Sequence, residues 1–216
     1  MTAYAFTDIH GSYSLWKEIQ KFCKEDDIIY CLGDFIDRGP GGPAIFKEML
    51  EDPRVIILKG NHEDMFVDSI LYNSENLPQY MENYGHQAIN SFYRLPYEEK
   101  EFLILEMDNL PTEITYVRPD GKKIIMTHSG ATSLTMKWIN NHTRLWNRTH
   151  MYTQTYWNED KNLYIVHGHT PVQCYSKNEP MFYCDNHKID LDLATYETGK
   201  IALLNLDTFE YQIFKK

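Results

Sequence analysis

The sequence predicts an α/β domain, and three observations carry that reading. Five short segments are rich in β-branched or aromatic residues, and each runs into a polar cluster: Tyr4-Ala-Phe-Thr7, Ile28-Ile-Tyr-Cys-Leu32, Val55-Ile-Ile-Leu58, Ile124-Ile-Met-Thr127 and Leu163-Tyr-Ile-Val166. Runs of this kind read as buried strands of a mostly parallel or mixed sheet. Amphipathic helical patterns fall between the first three, as strand-helix alternation requires. The third observation is size: 216 residues, against a prior of roughly 150 per domain, predict one domain over 1–216 with a sizeable core.

Each element arises from local chemistry. After the first strand, Leu15, Trp16, Ile19, Phe22 and Cys23 make one helical face, with Ser12 or Ser14 as candidate N-cap. After the second, Pro43 suits a first helical turn, Ile45, Phe46, Met49 and Leu50 supply the buried face, and Pro53 stops the helix. From Glu63 to about Leu110 the chain reads helical, with a break near Leu95-Pro96. Pro119-Asp-Gly121 is a turn signal, so Glu113–Val117 and Lys123–Thr127 should form a hairpin. Residues 131–161 have irregular periodicity and many Trp, Asn, Thr and Arg residues, which predicts a cap over a site. From Met181 onward, Thr198-Gly199 separates two short alternating runs, which suggests antiparallel strands closing a second sheet.

Composition excludes several classes. Hydrophobic residues are 43% and charged residues 24%, which rules out disordered, collagen-like and fibrous chains. The longest apolar run is five residues, Ile28 to Leu32, far short of the roughly 20 that a membrane helix needs. A formal charge of −10 opposes nonspecific binding to nucleic acid or anionic membranes, so neither partner is expected. Met1 to Phe6 show no secretory pattern, and a cytoplasmic location is expected. Cys23, Cys31, Cys174 and Cys184 form neither a CxxC nor a dense disulfide pattern and read as buried thiols.

The strand ends carry the most informative residues: Asp8-Ile-His10, Asp34, Asn61-His62, His128 and His167-Gly-His169. In open α/β sheets ligands gather at the carboxyl ends of strands, where residues distant in sequence converge. In extended chain, Asp8 and His10 would share one face. Carboxylate, imidazole and amide oxygen together suit borderline divalent metals such as Mn, Fe, Zn or Co, and the absence of cysteine argues against a thiolate zinc site.

The motifs DIH, GDFIDRGP, GNHE and GHTP occur in that order. The set resembles the calcineurin-like metallophosphoesterase superfamily, in its phosphoprotein phosphatase branch. Asn83-Tyr-Gly85 with Ser91-Phe-Tyr93, and Leu145-Trp-Asn-Arg148, resemble the NGG...SY and LW-x-R elements of the compact bacterial and bacteriophage lambda-type phosphatases. The end from Ile189-Asp190 to Leu206 resembles that group's closing strands, so the likeness spans almost the whole chain. It implies a two-sheet α/β/β/α sandwich with metals at one edge.

The resemblance also implies roles. One metal would take Asp8, His10 and Asp34; the other Asp34, Asn61, His128 and His169, with Asp34 bridging. Two such ions, with Mn first and Fe, Zn, Co or Ni as alternatives, would supply a hydroxide for in-line displacement without a phosphoenzyme. His62 would protonate the leaving oxygen and Asp37 would hold its tautomer. Arg38 and Arg148 would bind phosphate oxygens, with Arg144 competing for the second role. The implied activity is hydrolysis of phosphoserine and phosphothreonine in proteins or peptides, extending to phosphotyrosine or phosphohistidine, by a monomer. The alternatives are a symmetrical bis(5'-nucleosyl)-tetraphosphatase, whose members usually lack an acid at the position of Asp37, and a noncatalytic phosphoprotein-binding module.

Three positions depart from the pattern. Ser129 comes after His128 where relatives carry Gly or Ala, which should tighten the backbone there. Lys59 stands before GNHE where eukaryotic relatives carry arginine, which should weaken one anion contact. His167 would share a side with His169 if the strand continued. His86, His142, His150 and His187 match no ligand position and read as surface or cap residues. Trp16, Trp138, Trp146 and Trp157 read as core and cap packing, since no basic stripe accompanies them.

Overall fold

A computed structural model describes residues 1–130, 141–150, 162–174, 184–185 and 187–216. The cap expected over 131–161 is therefore described only for 141–150. Strand β1 (Ala3–Phe6) leads through α1 (Tyr13–Phe22) to β2 (Ile28–Cys31), and β2 through α2 (Gly42–Glu51) to β3 (Val55–Ile57). The three strands pair in parallel, Ala3 opposite Ile28 and Ile29 opposite Val55. Ser12 occupies the N-cap position of α1, but its hydroxyl makes no capping bond. Leu15, Trp16 and Ile19 bury that helix as its spacing requires, whereas Phe22 is exposed and rests edge-on against Tyr4 and Phe214. In α2, Pro43 sits in the first turn, and Phe46 stacks on Phe35 with ring centroids 4.8 Å apart.

The helical stretch is interrupted where the sequence breaks it. Helix α3 (Asn61–Val67) continues through a π turn at Asp68–Tyr72 and a 3-10 turn at Ser74–Asn76 into α4 (Leu77–Tyr80). A second π turn, Met81–Gly85, leads to α5 (His86–Tyr93), and Pro96 starts α6 (Tyr97–Asp108). Strands β4 (Glu113–Val117) and β5 (Lys123–Thr127) form the expected hairpin, with Glu113 opposite Thr127. Next along the chain come α7 (Asn141–Trp146), β6 (Leu163–His167), β7 (Cys184–Asp185), β8 (Lys188–Asp190), α8 (Thr195–Thr198), β9 (Lys200–Asn205) and β10 (Tyr211–Lys215).

Two mixed sheets result, ordered β10-β9-β1-β2-β3 and β4-β5-β6-β8-β7. One correction concerns the carboxyl end. The runs flanking Thr198-Gly199 do not pair with each other: β8 lies parallel to β6 in the second sheet, and β9 lies antiparallel to β1 in the first. Gly199, at φ 67°, ends α8 instead of turning a hairpin, and β9 pairs antiparallel with β10 across residues 206–210. The reason is burial, since Ile201 to Leu204 are buried throughout and need cover on both faces. A place beside β1 supplies it, with Ile201 and Leu203 in the helix-side core and Leu204 between the sheets.

The sheets pack through Ala3, Ala5, Tyr30, Leu32 and Leu58 on one side and Ile124, Met126, Val166 and Ile189 on the other. The opposite face of the first sheet packs Phe6, Ile29 and Cys31 against α1, α2 and the α3–α6 helices. The two layers hold the carboxyl ends of β1, β2, β3, β5 and β6 at one edge. Among the described residues no helix is long and apolar enough to cross a membrane. Cys23 and Cys31 are buried, but Cys174 is exposed, because the short 3-10 turn Val172–Cys174 packs only Val172 inward. Burial pushes the Cys23 thiol up to about 12.

Tyr84 carries φ 69° with its side chain exposed, at the middle position of the stretch that resembles an NGG element. A left-handed backbone costs a side-chain-bearing residue about 1–2 kcal/mol. Tyr84→Gly is therefore expected to stabilise the fold by about 1 kcal/mol, raising the melting temperature by roughly 2–4 °C in calorimetry.

Candidate metal centre

The centre is made of loops that leave the strand ends in left-handed turns. Six of the ten described non-glycine residues with positive φ are here: Asp8, His10, Asp34, Asp37, Arg38 and His169. Strain of this kind persists only where the surroundings enforce it. Asp8 N–H donates to the Gly33 carbonyl, His10 to that of Asp34 and Gly11 to that of Phe35, so two loops support each other. Asp8 and His10 converge through these turns, φ 52° and 44°, and not through the alternation of extended chain.

The side chains form two clusters joined by Asp34. His10, Asp34 and His62 present ligand atoms within 4.8 Å of one another, and so do Asp34, His128 and His169. Asp8 adjoins the first: its Oδ1 lies 3.8 Å from His10 Nε2, while its Oδ2 accepts from Thr7 Oγ1 at 2.6 Å and from His169 N–H at 3.0 Å. Asn61 adjoins the second, its Oδ1 2.8 Å from both His128 Nε2 and His169 Nδ1. His10 donates Nδ1–H to the Ile36 carbonyl and His128 donates Nδ1–H to that of Leu32, leaving each Nε2 facing the carboxylates. His169 Nε2 is buried without a hydrogen-bond partner. An orphaned imidazole nitrogen beside mixed oxygen and nitrogen donors, all buried, fits a pair of divalent cations.

Electrostatics sorts the members. Burial holds His10 and His169 well below the ordinary imidazole range, as neutral ligation requires. Burial opposes the charge on Asp34, but His128 and His62 outweigh it and keep that carboxyl well below its usual range. His128 is raised to about 10, burial being overcome by Asp34. Asp8 is raised by burial, with Asp34 adding to the effect.

Comparison with known proteins agrees with this geometry. The calcineurin-like phosphoesterase family matches residues 1–194. The chain is a calcineurin-like phosphoesterase. It is 27% identical over 192 residues to serine/threonine-protein phosphatase 1 of Salmonella typhimurium, covering 85% of this chain and 82% of that protein. It is 28% identical over 141 residues to the symmetrical bis(5'-nucleosyl)-tetraphosphatase of Wigglesworthia glossinidia brevipalpis, covering 60% of this chain and 45% of that enzyme. Among solved structures, a protein assigned as a diadenosine tetraphosphatase superposes with TM-score 0.66 at 14% identity, over 99% of this chain and 92% of that one. A protein serine/threonine phosphatase of Saccharomyces cerevisiae gives 0.59 at 14% identity, over 100% and 80%. At such identities these two likenesses speak for the fold alone.

In this phosphoesterase a residue unassigned by sequence reasoning locks the loops. Glu63 is fully buried and accepts backbone N–H bonds from Asp34, Phe35, Ile36 and Gly60 at 2.8–3.1 Å. Its signal was present in GNHE, an acid three residues after a loop glycine that opens a helix. Burial and Asp34 push its carboxyl up to about 7 against the pull of those donors. Gly60 must lack a side chain, because a Cβ would sit 2.1 Å from Asp34 Oδ1. Gly168 has the same constraint, 2.2 Å from Asp8 Oδ2.

The His62–Asp37 pair stands beside the clustered donors. His62 Nδ1 bonds Asp37 Oδ2 at 2.6 Å, and its Nε2 lies 3.8 Å from Asp34 Oδ2. Burial opposes the imidazolium, but Asp34 and Asp37 outweigh it and raise the His62 pKa. Tyr80, which no sequence pattern singled out, donates its hydroxyl to Asp37 Oδ1. Arg38 turns its guanidinium to Glu197 at 3.3 Å. Arg144 pairs with Glu113 and Thr112, whereas Arg148 is exposed and its charge reaches His169.

The three departures and the remaining histidines resolve structurally. Ser129 Oγ donates to the Arg144 carbonyl and accepts from Asn147 N–H, so it docks α7 and does not merely tighten its own backbone. Lys59 is buried and binds the carboxyl end of α6 through the Asp108 carbonyl, with the Asp108 carboxylate 3.6 Å away. His167 belongs to neither donor cluster among the described residues and meets Asp190 and the His150 ring, β6 ending there and His169 turning at φ 74°. His150 is buried, which leaves the cap alternative of its two readings. His86 is exposed, and His187 stacks on Tyr164. Trp16 lies in the core and Trp146 meets His169 edge-on; Trp138 and Trp157 fall outside the described residues, as does the His142 side chain.

Glu63→Gln places an amide against N–H donors that need an acceptor. Unsatisfied buried donors cost about 1–3 kcal/mol each. Urea unfolding of the metal-free protein is expected to show a loss of at least about 2 kcal/mol, with weaker divalent-ion binding in calorimetry.

Proposed function

We propose that this phosphoesterase hydrolyses phosphoserine and phosphothreonine in proteins, reaching phosphotyrosine or phosphohistidine as secondary substrates, as a cytoplasmic monomer. The observation that carries the reading is the 2.6 Å bond between Asp37 and His62 beside the shared Asp34. Likeness to a bacterial serine/threonine phosphatase over 85% of the chain supports it.

Asp8, His10 and Asp34 would hold one divalent ion and Asp34, Asn61, His128 and His169 the second, manganese being the first expectation. Bound there, the ions supply an ionised water at neutral pH and positive charge against the phosphoryl oxygens. Asp37 accepts Nδ1–H and so keeps the His62 proton for transfer at Nε2, the nitrogen that faces Asp34. That proton goes to the departing seryl or threonyl oxygen, a poor leaving group that needs it. Arg38, released from Glu197, and Arg148 contribute planar donors to the phosphate. Hydrolysis of a dinucleoside tetraphosphate is the second reading, favoured by the 28% identity to the Wigglesworthia glossinidia brevipalpis enzyme.

Metal-stripped protein resupplied with manganese and given a phosphoserine peptide together with diadenosine tetraphosphate is followed by phosphorus NMR. Inorganic phosphate from the peptide, absent in the metal-free control, is the expected result; ADP appearing while the peptide survives would replace this reading with the second. His62→Asn is expected to lower kcat on the peptide by about 10²–10⁴ while metal content by atomic absorption stays unchanged. Undiminished turnover would remove His62 from the acid role.

A further inference from the structure

A cavity of about 310 Å³ opens beside the acid pair, lined by Met65, Asp68, Ser69, Asn76, Gln79, Tyr80, Asn83 and Trp146. Two of its walls belong to the reaction centre. Tyr80 donates its hydroxyl to Asp37, and Trp146 lies edge-on to His169 with ring centroids 6.0 Å apart. The cavity thus borders both the Asp37–His62 pair and His169, so a group attached to a phosphate held at the centre can reach it.

Its chemistry is uneven in charge. Among the described residues Asp68 is the one charged group on the walls, and its Oδ2 accepts a 2.7 Å hydrogen bond from Asn76 Nδ2. The other polar walls are neutral amides and a hydroxyl, and two aromatic rings complete the set. No described wall residue can neutralise an anion. A nucleoside diphosphate leaving group would bring several negative charges against a carboxylate, inside a protein whose formal charge is −10. A guanidinium or ammonium group would instead meet a carboxylate and two aromatic side chains, a set that attracts a cation. The long-range field acts in the same direction.

We propose that this cavity is the leaving-group subsite, that Asp68 sets its preference, and that it selects phosphoesters with a cationic group beside the phosphate: phosphopeptides with Arg or Lys next to the phosphorylated residue. The inference rests on the protein phosphatase reading and deepens it. It also gives a physical reason for the protein to discriminate against nucleotide substrates.

The test compares kcat/KM of the manganese-loaded enzyme on two phosphoserine peptides that differ only in Arg or Glu adjacent to the phosphoserine. The wild type is expected to prefer the Arg peptide by at least about tenfold, with Asp68→Asn lowering that ratio several-fold and Asp68→Lys inverting it. Gln79→Lys, which adds a cation to the same cavity without touching Asp68, is expected to lower the ratio and covers the case in which the Asp68 variants do not fold. Equal rates on the two peptides in the wild type, or a ratio unmoved by the folded variants, would overturn the proposal. If neither peptide is hydrolysed while para-nitrophenyl phosphate is, the protein phosphatase reading fails separately. The subsite is then read on phosphoethanolamine against 3-phosphoglycerate, where cationic preference that Asp68→Lys or Gln79→Lys reverses sustains it and indifference overturns it.

Discussion

A carboxylate with no access to water holds the centre in place. Glu63 takes four backbone N–H groups from the loops after β2 and β3. Burial of such a group is costly unless its oxygens are hydrogen-bonded, and here the donors are main-chain groups that would otherwise be unsatisfied themselves. Each side's requirement is met by the other, which fixes Asp34, at φ 55°, in a conformation that an isolated loop would abandon. The ladder from Asp8, His10 and Gly11 to the same loop then transmits that fixation to the loop after β1.

Sheet packing accounts for the other half of the site. Ala3 and Ala5 leave room between the layers, and Ile124, Met126 and Val166 fill it. The facing sheets bring the ends of β5 and β6, with His128 and His169, against the ends of β1 to β3. Contacts between the halves are polar and short: Asn61 Oδ1 to both histidines, and Asp8 Oδ2 to the His169 N–H. Neither sheet alone carries all six candidate donors.

Within this frame, burial and charge act in opposite directions on neighbouring groups. Desolvation keeps His10 and His169 neutral and therefore able to ligate, while the cationic tendency of His128 and His62 keeps Asp34 ionised. His62 is bonded to a carboxylate outside the ligand set, and that carboxylate, Asp37, is oriented in turn by Tyr80. That division separates groups suited to holding ions from one suited to moving a proton. The cavity with Asp68 on its wall shares Tyr80 with the Asp37–His62 pair.

Much was legible in the order of residues. Apolar β-branched runs marked the first strands, a Pro-Asp-Gly turn the β4–β5 hairpin and helical spacing the faces of α1 and α2, because these are local properties of the chain. Polar residues after the strands marked Asp8, His10, Asp34, Asn61, His128 and His169 as donors by their chemistry, while the pairing of Asp37 with His62 came from the family resemblance. Sheet membership of β9 was not legible, since a fully buried strand shows no face and its neighbour is chosen by tertiary cover. The same limit explains Lys59, Ser129 and His167: their residue types suited the site, but α6, α7 and the turn at Gly168 claim them. Tyr80 and Asp68 had no motif at all, because what gives them meaning is distance to Asp37 and a cavity wall. Sequence by itself determined the element order and the chemical inventory of this phosphoesterase. Only the tertiary structure decided which of those groups meet, because convergence of five loops depends on left-handed turns and on two sheets closing face to face.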